Sequence, residues 1–216
     1  MSKPNPKETP LLFKAPMVRA IDAGQKTMTR RLVDPQPPEW VTSARQSESD
    51  PVVHSFHSKS GYNGGKFTLS VRCPYGGPGD IIWGRENVYI APPGFGDADQ
   101  CNATDKEGRR RLVGYSASMD GDSRRCAEEL GVKQTPSIHQ PRWACRLILE
   151  ITAVRAERLR DITDEDALAE GVQDALLAPL LGGPREAFKC LWADTYGAES
   201  WDVNPWVWTI SFRRVA

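Results

Sequence analysis

The order of apolar and polar positions predicts a chain of short strands with few helices. A helical period opens at Ala15-Pro16, where Pro16 suits the first turn, puts Met17, Ala20 and Ile21 on one face, and ends at Gly24, a residue suited to a helix C-terminus. Alternation and β-branched residues over 29–33 predict a strand. Residues 34–65 hold Pro35, Pro37, Pro38 and a serine-rich stretch with no sustained period, and read as a long, irregular and partly mobile insertion. Strands are predicted over 67–71 and 81–89, separated by the turn Pro74-Tyr75-Gly76-Gly77-Pro78-Gly79-Asp80. A second Gly- and Pro-containing loop covers 92–110, then a strand over 112–117 and a short helix over 123–130. The clearest strand is 143–154, where Cys145, Leu147, Leu149 and Ile151 alternate with Arg146, Glu150 and Thr152. Thr163, three residues before Asp166, starts a helix that ends near Gly171. A second amphipathic helix covers 184–196 with Phe188, Leu191, Trp192 and Thr195 on one face. The last strand, 206–213, points Trp206, Trp208, Ile210 and Phe212 one way. No internal repeat is visible. The pattern predicts an α+β fold, a small mixed barrel with flanking helices and long loop insertions.

Composition narrows the function classes. Across 216 residues, 28 Lys+Arg balance 28 Asp+Glu, so a uniformly basic nucleic-acid coat is excluded and any such contact must come from a local cluster of cations. Gly 18 and Pro 17 fit many turns and argue against a helical bundle. Cys73, Cys101, Cys126, Cys145 and Cys190 are odd in number and lie at least 19 positions apart, which disfavours a zinc ribbon or a disulfide framework and predicts reduced thiols in a cytoplasmic protein. The first ten residues carry no apolar leader region and no apolar run approaches a membrane span, so no membrane partner is expected.

Four segments carry candidate chemistry. In Gly24-Gln25-Lys26-Thr27-Met28-Thr29-Arg30-Arg31, a Lys, two hydroxyls and two Arg follow a glycine turn, which suits an anion cradle and also suits a solvated basic turn. The helix at 163–171 gathers Asp164, Glu165 and Asp166 at its N-terminus, where they complement the dipole, but sets Glu170 at its C-terminal end, where a carboxylate is disfavoured and marks a candidate site. The run 136–146 presents Ser137, His139, Arg142 and Trp143 on a proline-fixed segment, suited to base stacking and phosphate pairing or to plain loop packing. Trp83-Gly84-Arg85-Glu86 points Arg85 and Glu86 to opposite faces of a strand, so one of them is placed to face a pocket. His54 and His57 lack a nearby acid or cysteine partner in sequence, so no metal is expected.

Together these segments resemble the ASCH domain, a β-barrel superfamily related to the PUA RNA-binding fold, in a prophage-encoded branch. The resemblance rests on Leu12-Phe13-Lys14, the Gly24–Arg30 run, Pro78-Gly79-Asp80, Trp83-Gly84-Arg85-Glu86, and the segments 136–146, 164–171 and 204–213. It implies one ASCH domain over 1–216, with branch-specific insertions at 35–65 and 92–130. Small bacterial ASCH enzymes hydrolyse the amide of N4-acetylcytidine, and the family's Lys, Thr and Glu fall on Lys26, Thr29 and Glu170. Thr27, Arg30, Arg31, Arg85, Glu86, Ser137, His139, Arg142 and Trp143 are then candidate substrate contacts, with no cofactor and no metal. The expected partner is a nucleoside, single-stranded RNA or a modified DNA base. Three activities follow as expectations: a metal-independent amidohydrolase acting on an N4-acylated cytidine, a single-stranded RNA ribonuclease, and a non-catalytic reader of RNA or modified bases. Deacylation assigns Lys26 as base, with a lowered pKa expected if it is buried beside Arg30. Glu170 becomes the proton relay, Thr29 the nucleophile or water-holder, and Arg30 or backbone amides the oxyanion contact.

Overall fold

A computed structural model describes residues 5–58, 68–172 and 182–215. In chain order the elements begin β1 (Glu8–Leu12), α1 (Ala15–Asp22), β2 (Met28–Leu32), β3 (Ser43–Gln46), β4 (Val53–His57), β5 (Thr68–Arg72), β6 (Ile81–Arg85) and β7 (Val88–Ile90). They continue β8 (Ala103–Thr104), β9 (Arg110–Arg111), β10 (Val113–Tyr115), α2 (Gly121–Glu129), β11 (Gln134–Thr135) and β12 (Leu147–Arg158). The last three are α3 (Asp164–Ala169), α4 (Pro184–Tyr196) and β13 (Trp206–Arg214). The fold is α+β, mostly sheet with few helices, and among the described residues no sheet closes into a barrel. No helix among them is long and apolar enough to cross a membrane. The chain divides into two compact units, one of residues 1–7, 24–81 and 150–213, the other of 8–23, 82–149 and 214–216.

In the first unit, β13 pairs antiparallel with β2, setting Thr209 opposite Arg30 and Ile210 opposite Thr29. Its other neighbour is β12. β13 is therefore a central strand, and it is buried on both faces: Trp206, Trp208 and Ile210 at 3%, 1% and 0% exposure on one side, Val207 at 0% on the other. Period-2 alternation alone predicts one buried face. The second exists because Val207 packs into a cluster with Leu159, Ile162, Ala167, Phe188, Trp192 and Trp201, the residues that line α3, α4 and the turns flanking them. On the first face, Phe56 of β4 meets Trp206 edge-on at 5.1 Å, and His54 meets Trp208 edge-on at 5.1 Å. Edge-to-face pairs of this kind add about 0.5–1.5 kcal/mol each to their burial.

Residues 34–58 are not irregular as expected. β3 and β4 form an antiparallel hairpin, extended by β5 into a three-stranded sheet. The signal was weak because β3 is polar and almost fully exposed, so only β4, with His54 and Phe56 buried, alternates. Residues 59–65 of that segment lie outside the described residues.

In the second unit, β7 is the middle strand of the β10-β7-β11 sheet, with Val88 fully buried. The expected strand over 81–89 is two strands, broken at Glu86 and Asn87. Gly84 in β6 permits a close approach: a Cβ there would lie 3.0 Å from Leu147 Cβ and 3.2 Å from Phe13 Cδ2. α1 begins at Ala15 with Pro16 in its first turn as expected, but its buried face is Val18, Ala20 and Ile21, with Met17 only half-buried. Arg142–Ala144 is a single 3-10 turn rather than the start of β12, whose first residues, Leu147 and Leu149, are fully buried here.

Candidate active site around Lys26 and Glu170

The local sequence explains how the lysine and glutamate meet. Thr163 accepts a hydrogen bond from the Asp166 N–H at 3.1 Å, which fixes the start of α3. Glu170 caps its C-terminal end, followed by Gly171 in a left-handed conformation (φ 87°). Thr27 donates its N–H to the Ala169 carbonyl at 2.8 Å and accepts from the Phe212 N–H at 2.8 Å. These two bonds tie the end of α3 to the turn that carries Lys26.

Lys26 Nζ donates to the Glu170 carboxylate (Oε2, 2.6 Å) and to the Glu170 backbone carbonyl (2.8 Å). That carbonyl is one of those a helix end leaves without an intrahelical partner. Arg30, on β2, reaches the same carboxylate at 3.4 Å, Glu157 Oε1 at 2.6 Å and Asp166 Oδ2 at 2.5 Å. Thr209 Oγ1 donates to Glu157 Oε1 at 2.7 Å, and Arg155 lies 3.3 Å from Asp166. The disfavoured position of Glu170 is thus offset by two cations. The side chains of Lys26 and Arg30 are 0% exposed and that of Glu170 4%, while Glu157 and Asp166 keep 19% and 17%, so solvent meets the cluster at those two carboxylates. Arg30 Nε is buried and makes no hydrogen bond among the described residues.

Burial pushes the Lys26 ammonium below its ordinary pKa. The Glu170 carboxylate pulls the other way, and the charges of Arg31 and Arg30 add to the lowering. A buried amine of lowered pKa in direct contact with a carboxylate can accept a proton at one atom and pass one on at the other.

Thr29 is the second residue of β2, 2% exposed, and strand alternation points it to the face opposite Arg30. Among the described residues, no hydrogen bond joins it to Lys26 or Glu170. Thr27 is exposed and acts through its backbone, and Arg31 is half-buried. Glu157, Asp166, Thr209 and Arg155 were not among the expected site residues. Asp166 was read as a dipole partner. Arg155 and Glu157, two apart on the strand, were the available signal, since i and i+2 share a face.

The remaining expected contacts belong to the second unit. Arg85 donates to the carbonyls of Ile138 and Gln140, and its guanidinium lies 5.2 Å from the Trp83 ring centroid. Arg142 lies 6.0 Å from the same ring and forms a two-pronged pair with Glu8 at 2.8 and 3.2 Å. Glu86 is 2% exposed and held by Arg146 at 2.8 and 3.2 Å. The Ser137 N–H donates to Asn87 at 2.8 Å, His139 is exposed, and Trp143 is half-buried beneath the Arg111 guanidinium at 5.4 Å. His54 and His57, three apart on β4, point to opposite faces, and no group of three or more potential metal ligands occurs among the described residues. No family model matches the chain, and no curated protein or solved structure matches it.

Proposed function

We propose that the chain is an ASCH-type, PUA-like protein carrying branch-specific insertions, whose Lys26–Glu170 pair hydrolyses the N4-amide of an acylated cytidine without a metal. The observation that carries this reading is the direct contact of a buried, pKa-lowered Lys26 Nζ with Glu170 Oε2 at 2.6 Å. In the reaction, the Lys26 amine takes a proton from water, and the water oxygen bonds to the acyl carbon. Arg30, on releasing Glu157 or Asp166 at the solvent edge of the cluster, stabilises the oxyanion. The C–N bond then breaks, and a proton travels from Lys26 through Glu170 to the leaving nitrogen, giving cytidine and the carboxylic acid. Incubating N4-acetylcytidine with the full chain and separating the products tests this. Turnover that Glu170→Gln lowers by about 10²- to 10⁴-fold supports the reading, and no cytidine at high enzyme concentration overturns it. Thr29→Ala is expected to keep most of the rate, because Thr29 faces away from Arg30. A rate loss as large as that of Glu170→Gln would instead make its hydroxyl the nucleophile.

A second reading is a reader of single-stranded RNA or modified bases without turnover, in which the enclosed Lys26–Glu170 pair only holds the fold. It predicts saturable RNA binding that weakens with salt and no product. Degradation of single-stranded RNA in the presence of chelator would instead favour a ribonuclease.

A further inference from the structure

We infer that the space between α2 and the β10-β7-β11 sheet is a pocket for a small apolar molecule that lacks an anionic group. The helix packs loosely: none of its nine residues is buried, and Ala127 packs against the cluster of Tyr89, Ala91 and Val132. Its apolar side chains Cys126 and Ala127, with Leu130 just after it, line a cavity of about 530 Å³ whose far wall includes the buried Tyr89, Ala91 and Val132. That volume lies within the range of pockets that hold small organic ligands. Gly114 keeps the floor low, since a Cβ there would stand 2.7 Å from Met119 Sδ. The Met119 thioether is a soft wall that adapts to the shape of what it meets.

The chain path decides the size of the occupant. α2 is joined to β10 through 116–120 and to β11 through 130–133, so both its ends are tied to the sheet it faces. Tyr89 Oη donates to Glu128 at 2.9 Å, and Arg124 donates to the carbonyls of Ser116 and Met119 at 2.8 Å each. Fastened this way, a gap of about 530 Å³ has room for a small molecule and not for a helix or strand of another chain. The charge decides its class. Among the lining residues, Asp122 is the carboxylate and lies at the exposed rim, paired with Arg125 at 2.5 Å; Glu128 stands on the lining Tyr89, and Arg124, outside the lining, donates Nη2 to backbone carbonyls while its buried Nε has no partner among the described residues. An anion would find no Lys or Arg among the lining residues and Asp122 at the exposed rim, whereas a neutral aromatic or aliphatic molecule meets walls that are apolar apart from Asp122 and Ser123.

The test uses the full chain and two fluorescent probes with the same ring system, neutral 1-aminoanthracene and anionic anthracene-9-carboxylate. The neutral probe is expected to saturate one site with a dissociation constant on the order of 10 µM, and the anionic one to bind about tenfold more weakly. Ala127→Trp, which fills the cavity, is expected to abolish binding. The bound neutral probe is also expected to slow alkylation of exposed Cys126 in the unaltered chain while leaving exposed Cys190 unchanged. That measurement decides the matter if the tryptophan variant fails to fold. Equal binding of both probes, unchanged binding by a folded Ala127→Trp, or no protection of Cys126 would each overturn the inference.

Discussion

Replacing Lys26 by Met probes the buried pair most sharply. The substitution keeps the side chain's length and removes Nζ, leaving the 4%-exposed Glu170 carboxylate with Arg30 at 3.4 Å as its remaining cation. Breaking a buried ion pair from one side costs about 3–5 kcal/mol. In a chain of this size, 1 kcal/mol moves the melting temperature by about 2–4 °C, so a drop of about 6–20 °C is expected. Glu170→Gln should cost less, about 1–3 kcal/mol, because the amine it strands can lose its proton. Burial already lowers the Lys26 pKa, and the carboxylate is the main influence holding it up. The glutamine variant should therefore gain stability as pH rises toward 10.5, the ordinary lysine value, since the unfolded chain binds the proton that the folded chain has given up. The double variant leaves no stranded charge and should be more stable than Lys26→Met alone. Thermal unfolding by circular dichroism at several pH values reads all four proteins. A double variant whose loss equals or exceeds the sum of the two singles would refute the coupling.

Three further outcomes follow from the same structure. His54 is 2% exposed, neither ring nitrogen makes a hydrogen bond of ordinary geometry among the described residues, and burial lowers its pKa despite weak contact with the Val52 and Val154 carbonyls. The folded state therefore binds fewer protons there, and stability should fall as pH drops below about 6.5; acid unfolding followed by circular dichroism reads it, and a His54→Phe variant with an unchanged acid limb would refute it. Thr163→Ala removes the cap on Asp166 N–H and should cost about 0.5–2 kcal/mol in chemical denaturation, with no change if α3 is held by packing alone. Arg146→Met strands the buried Glu86 and should destabilise by about 3–5 kcal/mol, whereas a shift within the scatter of surface substitutions would show Glu86 to be satisfied by its other neighbours.

The extent to which the sequence predicted this arrangement varies from element to element. β13 was legible because its aromatic alternation is unbroken, and α3 because Thr163 and Gly171 mark both its ends. Glu170 was legible as a carboxylate placed against the helix dipole. β3 was hidden by its polarity, and the far half of β12 by a change of burial phase between Ile151 and Val154 and by charged residues that pair only in three dimensions. Glu157 illustrates the limit: nothing local says that Arg30, 127 positions away, will meet it at 2.6 Å. The gap beneath α2 was equally out of reach, since it depends on which strands the helix faces.

The central claim is that Lys26 and Glu170 form a working acid–base pair rather than a structural ion pair. The most direct measurement is the rate of cytidine release from N4-acetylcytidine by the unaltered chain and by a folded Glu170→Gln variant. The account predicts release by the first and a loss of at least about 100-fold in the second. No release by either, or equal release by both, would contradict it.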